Sequence, residues 1–230
     1  PQNYLSHYYL GRFFMTEKDY ENALKSYQKA IELKNDVPRL YIGLSNAQQA
    51  LEKNDDAVVS IEKAVKIEPT NSSYHFTQSH LTLRLGKDML CSLRASYFLK
   101  YKGWNDEDSP YAVLNLYFAN RRSGTGKEKA VLKQAIANLN KEVWAYSIIK
   151  YLNGEIDKNA LLNLADDVDK RTEANAYIGF DLLLLGKIEE AKQYLNWVKT
   201  NGNRDFTEYD LSISLLNSIE KETTNPQPEK

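Results

Sequence analysis

Small and apolar residues recur at an interval of 34 positions along the first third of the chain: Ala23 and Ala57, Ala30 and Ala64, Leu10 and Leu44, Leu33 and Ile67. Within each interval the apolar positions follow a helical period in two stretches. A polar break separates them, Glu17-Lys18-Asp19-Tyr20 in the first interval and Leu51-Glu52-Lys53-Asn54 in the second. The pattern predicts a helical hairpin repeated in tandem. A hairpin of this length cannot bury its own apolar faces, so it must stack on copies of itself, which makes a long surface rather than a deep pocket.

Continuing the register divides the chain into an all-α array of about six hairpins, over residues 4–37, 38–71, 72–105, 109–140, 141–171 and 172–205, with a capping helix over 206–221. The array, a right-handed α-solenoid, is expected to form one domain over 1–221, followed by a proline-broken disordered tail over 222–230. In the first hairpin Gly11 and Ala23 mark the close crossing of two helices, with Phe14, Tyr20 and Tyr27 filling the wedge beside them. The second keeps Tyr41, Leu44, Ala57, Ile61, Ala64 and a closing Pro69, but has Ser45 and Gln48 where a glycine and an aromatic are expected. In the third, Leu85-Gly86-Lys87 makes the turn and Cys91 takes the small position. Ser109-Pro110 reads as a capping hydroxyl and a first-turn proline opening the fourth hairpin, in which Ala130 is expected at the small position. A fifth runs through Trp144, Leu152, Asn153-Gly154 and Ala160 to Leu164. The sixth restores the pattern with Ile178-Gly179, Leu185-Gly186-Lys187, Ala191, Leu195 and Val198.

The succession of aromatic, Leu-Gly, aromatic, alanine, aromatic and alanine in the first hairpin resembles the tetratricopeptide repeat. Over nearly the whole chain the sequence also resembles the NlpI family of bacterial lipoproteins. The residues that carry this are Asp88-Met89-Leu90, Lys129-Ala130-Val131-Leu132-Lys133-Gln134, Trp144 with Tyr151-Leu152-Asn153-Gly154, Tyr177-Ile178-Gly179 with Leu185-Gly186, and Asp205-Phe206-Thr207-Glu208-Tyr209. The second resemblance implies an outer-membrane lipoprotein facing the periplasm, which dimerises and serves as an adaptor for a protease and for cell-wall hydrolases. It also implies a lipid-attachment cysteine upstream of Pro1. A cytoplasmic scaffold is the alternative.

Composition narrows the function further. Thirty basic residues face 31 acidic ones, so no global field draws the protein to nucleic acid or an anionic membrane. No run approaches the ~20 apolar residues of a membrane-spanning helix. The single cysteine, Cys91, leaves no internal disulfide or thiolate cluster and reads as a buried, inert thiol. Sixteen tyrosines offer apolar area with a polar tip, most of it for packing.

Candidate chemistry gives way to plainer readings. Ser123-Gly124-Thr125-Gly126-Lys127 lacks the earlier glycine and the hydroxyl after lysine that a phosphate loop needs, and it joins two helices. His75 and His80 are five apart, a spacing that turns them to different sides of a helix. The carboxylate runs Asp106-Glu107-Asp108 and Asp166-Asp167 read as solvated loop and helix-end charges. No catalytic residue, metal site or cofactor is expected.

What remains is the face of the first helices. In tetratricopeptide repeats these line the concave side, which places Tyr8, Arg12, Arg39, Ile42, Asn46, Gln49, Phe76, His80 and Arg84 there, with Asn115 and Arg122 continuing it. Aromatic anchors beside guanidinium and amide groups suit a peptide or protein partner. The expected function is a non-enzymatic scaffold or adaptor. The rival is a homodimer in which a second copy covers this face or an end helix.

Overall fold

The computed structural model describes residues 3–224, with side chains through residue 221. Among the described residues there are thirteen α-helices and no strand: α1 (Tyr4–Thr16), α2 (Tyr20–Leu33), α3 (Pro38–Ala50), α4 (Asn54–Ile67), α5 (Ser72–Arg84), α6 (Asp88–Lys102), α7 (Ser109–Arg122), α8 (Glu128–Asn138), α9 (Ala145–Leu152), α10 (Lys158–Leu164), α11 (Val168–Leu184), α12 (Ile188–Asn201) and α13 (Thr207–Thr224). None is long and apolar enough to cross a membrane. The chain divides into two compact units, residues 1–81 and 82–230.

All six hairpins turn in the same way. Two residues past the end of each first helix stands a residue with left-handed backbone, at Lys18, Glu52, Gly86, Gly124, Gly154 and Gly186. The next amide then donates back five residues: Asp19 to Phe14, Lys53 to Gln48, Lys87 to Thr82, Thr125 to Asn120, Glu155 to Lys150 and Lys187 to Leu182, at 2.8–3.1 Å. This closure satisfies carbonyls that a helix end leaves open. Glycine adopts the left-handed conformation freely. Lys18 (φ 59°) and Glu52 (φ 57°) hold it against the clash of their Cβ atoms.

The fourth residue of every second helix is buried: Ala23, Ala57, Cys91, Val131, Leu161 and Ala191. Its amide also closes the first turn of that helix, onto the carbonyl of Asp19, Lys53, Lys87, Lys127, Asp157 or Lys187. One residue thus fixes both where the helix starts and which face it buries. In the fourth hairpin this residue is Val131, and the expected Ala130 is exposed. The turn there is two residues longer, so counting from Gly124 instead of Gly126 shifts the register.

In the first unit the Tyr27 ring is buried between two glycines. A Cβ on Gly11 would come within 2.9 Å of it, and one on Gly43 within 2.5 Å. The absence of both side chains is what admits the ring between α1 and α3. Ser45 and Gln48 are buried as hydrogen-bonding residues. Ser45 Oγ donates to the Ala57 carbonyl at 2.9 Å, and Ser60 Oγ donates to Gln48 Oε1 at 2.7 Å. A polar pair therefore joins α3 to α4 where apolar packing joins α1 to α2.

The second unit is built around α11. This helix starts at Val168, four residues before the expected boundary, where Asp167 caps it by accepting from the Lys170 amide. Residues 172–180 are all buried. The Phe118 ring of α7 stacks on Phe180 at 4.4 Å and on Tyr177 at 5.6 Å. Helix α13 covers the far side with Leu211, Leu215, Leu216 and Ile219, and Tyr177 donates to Glu208 at 2.8 Å. The cap helix runs to Thr224, into the expected tail, whose residues 225–230 lie outside the described residues. Ser109 does not cap α7. Its hydroxyl donates to the Gly103 carbonyl at 2.8 Å and ties down the preceding loop.

A polar cluster sits in this interior. Glu173 accepts from Tyr111 at 3.2 Å and from the Trp144 indole at 3.1 Å. Burial, reinforced by the nearby Glu208, pushes the Glu173 carboxyl up to about 8.

Two predictions follow from these contacts. Replacing Glu52 by glycine relieves the left-handed strain and raises stability by about 0.5–1 kcal/mol, whereas Gly86→Ala lowers it by about 1–2 kcal/mol. Urea denaturation measures both, and a loss of stability in Glu52→Gly contradicts the reading. For Glu173, the unfolded carboxyl releases its proton near its ordinary value of 4.5 while the folded one keeps it to about 8. Between these values the folded state binds the extra proton, so stability falls as pH rises and levels off above 8. Melting curves across that window show a decline that Glu173→Gln, which keeps partners for Tyr111 and Trp144, largely removes.

Candidate peptide-binding face

The first helices of the first unit bring part of the expected face together around one ring. Tyr8 lies at the middle of α1, Arg12 follows one turn later, and Arg39 stands in the first turn of α3 just after Pro38. The two guanidinium carbons lie 6.0 Å and 5.7 Å from the centre of the Tyr8 ring. These are the two arginines of residues 1–81. Both are exposed, and neither forms an ion pair among the described residues. Tyr8 also packs on Tyr9 at 5.3 Å and Tyr27 at 6.1 Å, so the ring is held from below while its cations face water.

Tyr74 of α5, which the pattern did not single out, is half-buried in the same unit. Burial pushes its phenol up, the charge and hydrogen bond of Glu68 add to the effect, and Arg39 opposes it.

The other expected residues form smaller groups. Phe76 and His80 meet edge to face at 4.4 Å, one turn apart on α5. Ile42 and Gln49 are half-buried on α3, and Asn46 between them is exposed. Gln49 Nε2 lies 3.5 Å from Ser45 Oγ.

Arg84 belongs to the second unit. Its guanidinium lies 3.7 Å from Asp210 of α13, and its carbonyl accepts from Ser214 at 2.8 Å. Asn115 and Arg122 do not continue an open face. Asn115 is fully buried, with its carbonyl 3.6 Å from the Cys91 thiol. Arg122 forms a bidentate pair with Asp88 at 2.6–2.9 Å and donates to the Leu83 carbonyl at 2.6 Å, which ties α7 to the start of α6. The first helices α7, α9 and α11 turn the corresponding sides onto one another. Arg121 pairs with Asp181, and Tyr151 donates to the same carboxylate at 2.8 Å.

The remaining chemistry is structural. Burial pushes the Cys91 thiol up to about 12, which leaves it un-ionised and unreactive at neutral pH. His75 is buried with its Nε2 2.8 Å from the Pro69 carbonyl. The Ser123–Lys127 segment is an inter-helix turn whose hydroxyls donate back to α7, Ser123 to Ala119 and Thr125 to Asn120. Among the described residues no group of three or more potential ligands is placed to hold a metal.

Residues 14–79 match the family model for the tetratricopeptide repeat. Among solved structures, a tetratricopeptide repeat protein from Parabacteroides merdae is 15% identical, covers 94% of this chain and 85% of its own, and superposes with a TM-score of 0.61. PilW, a widely conserved type IV pilus biogenesis factor, is 17% identical over 94% of this chain and 98% of its own, with a TM-score of 0.55. YrrB, a tetratricopeptide-repeat protein with an unusual peptide-binding site, is 14% identical over 94% and 90%, with a TM-score of 0.50. At such identities the likeness is one of fold. The chain has the all-helical repeat fold along its length, and its residues 14–79 carry the tetratricopeptide-repeat pattern itself.

Proposed function

We propose that this chain is a non-enzymatic scaffold that holds an extended, acidic peptide segment of a partner protein against α1, α3 and the first turns of α5. One observation carries the reading: Arg12 and Arg39 converge on Tyr8 with no carboxylate among the described residues to neutralise them. Stacking on the ring restrains two long side chains before a ligand arrives, so less entropy is lost when they bind. A guanidinium presents parallel N–H donors that match a carboxylate. Phe76 and His80 supply apolar area for a neighbouring residue of the peptide, and Asn46 and Gln49 supply donors and acceptors for its backbone. With a formal net charge of −1, the protein attracts an acidic segment through this local patch rather than through an overall field. The peptide-binding site of YrrB supports a peptide ligand on a chain of this fold.

The wider role we infer is that of an adaptor in a bacterial cell envelope. It rests on the NlpI-like stretches, of which Trp144 with Tyr151-Leu152-Asn153-Gly154 and Asp205-Phe206-Thr207-Glu208-Tyr209 are the most distinctive.

Fluorescence anisotropy with three labelled peptides of equal length, one acidic, one uncharged and one basic, tests the binding face. The acidic peptide binds best, and its affinity drops as salt is raised. Arg12→Glu with Arg39→Glu weakens it by roughly 10–100-fold, as expected for losing charge-assisted hydrogen bonds. Equal binding of all three peptides, or acidic-peptide binding unchanged in the double variant, contradicts the proposal.

A further inference from the structure

A third cation extends the pair of arginines into a row. Tyr4, Tyr8 and Arg12 follow one another at intervals of four along α1, so they lie in one stripe of that helix. Lys34, the extended residue just past α2, brings its ammonium 5.2 Å from the centre of the Tyr4 ring. Arg39 and Arg12 stand at the Tyr8 ring, at 5.7 Å and 6.0 Å. Both rings are held in place, because Tyr4 and Tyr8 pack on the buried cluster of Ala30, Val37 and Leu40. Lys34 is exposed and, like the two arginines, forms no ion pair among the described residues. Along the stripe the cations are thus ordered Lys34, Arg39, Arg12. The equivalent stripe of α3 holds Pro38, Ile42 and Asn46 and carries no charge.

We infer that the segment bound here carries acidic residues at every second position, three alternate carboxylates meeting Lys34, Arg39 and Arg12 in turn. The inference rests on the acidic-peptide reading above and adds the spacing that the face selects. Four residues of helix rise about 6 Å, and two residues of extended chain rise about 6.5 Å with both side chains on the same side. A peptide running along α1 therefore keeps step with the stripe. Over three contacts the mismatch reaches only about 1 Å, which long lysine and arginine side chains absorb. Neighbouring residues of an extended chain point to opposite sides, so an unbroken acidic run turns every second carboxylate away from the row. Acids at every third position alternate between the sides and fall out of step. A helical ligand with acids four apart has the matching rise, but like charges at that spacing destabilise a short helix, and its ordering costs binding energy. The rings hold the three cations before the ligand arrives, so the spacing is read by the protein and not adopted from the peptide.

Isothermal titration of the intact chain tests this with thirteen-residue peptides, amidated at the C-terminus so that no terminal carboxylate competes. Each carries three glutamates in a serine and glycine background, at every second, every third or every fourth position, and a control has glutamine in their place. The every-second peptide binds about fivefold tighter than the other two acidic ones. Lys34→Ala, at an exposed position, weakens it by about twofold to fivefold with unchanged helicity. Changing an end glutamate to glutamine costs the wild type a similar factor, and at the end that meets Lys34 this loss disappears in Lys34→Ala. Equal binding of the three acidic peptides, or tighter binding of the every-third or every-fourth one, overturns the spacing and leaves the acidic-peptide reading standing. So does a Lys34→Ala variant that binds the every-second peptide unchanged. Acidic peptides that bind no better than the glutamine control overturn both.

Discussion

The turn between the two helices of a hairpin constrains everything built on it. A left-handed residue reverses the chain, the following amide closes back onto the first helix, and the second helix starts two to four residues after the left-handed one with its fourth residue buried. Because helix start and buried face are set together, each hairpin presents a defined outer side and a defined inner side before it meets a neighbour. The turn is strained at Lys18 and Glu52 and relaxed where glycine stands, yet its hydrogen bond is the same length within a few tenths of an ångström. Tertiary packing holds the two strained turns in place.

From this common element the two units diverge in what the first helices do. In residues 1–81, α1 and α3 meet through a tyrosine seated between two glycines, which leaves Arg12, Arg39 and Asn46 facing water. In residues 82–230, α7, α9 and α11 meet through large rings and paired charges, and α11 is enclosed. Arg121 and Arg122 are half-buried and each is paired with a carboxylate, Asp181 and Asp88 respectively. An exposed arginine without one is available to a ligand. That difference in side-chain commitment, rather than any difference in helix geometry, puts the candidate recognition face in the first unit.

The fold was legible because small residues at close crossings leave a periodic mark. Ala23, Ala57 and Cys91 are found by the 34-residue spacing alone, and Ala191 by its place after the Leu185-Gly186 turn. Val131 is not, because the two extra residues between Gly124 and Lys127 break the count and the adjacent Ala130 satisfies a rule based on size. Counting from Gly126 recovers it. Gly43 escaped notice because it lies outside the 34-residue register, and only the Tyr27 ring explains it. On the candidate face, Tyr8, Arg12 and Arg39 could be placed on one side of their helices from sequence, but their convergence on a single ring depends on the crossing of α1 and α3. Asn115 and Arg122 occupy positions of the same kind. Whether such residues stay open depends on distant partners, Asp88 lying 34 positions before Arg122, and no local pattern records that.

If ligand recognition belongs to the first unit because the second fills its own interior, amide hydrogen exchange with and without an acidic peptide shows it most directly. The account predicts that the peptide slows exchange in α1, α3 and the start of α5, while α11 exchanges slowest of all in both states and is unaffected. Protection appearing in α7, α9 or α11, or rapid exchange of α11 in the free protein, would contradict it.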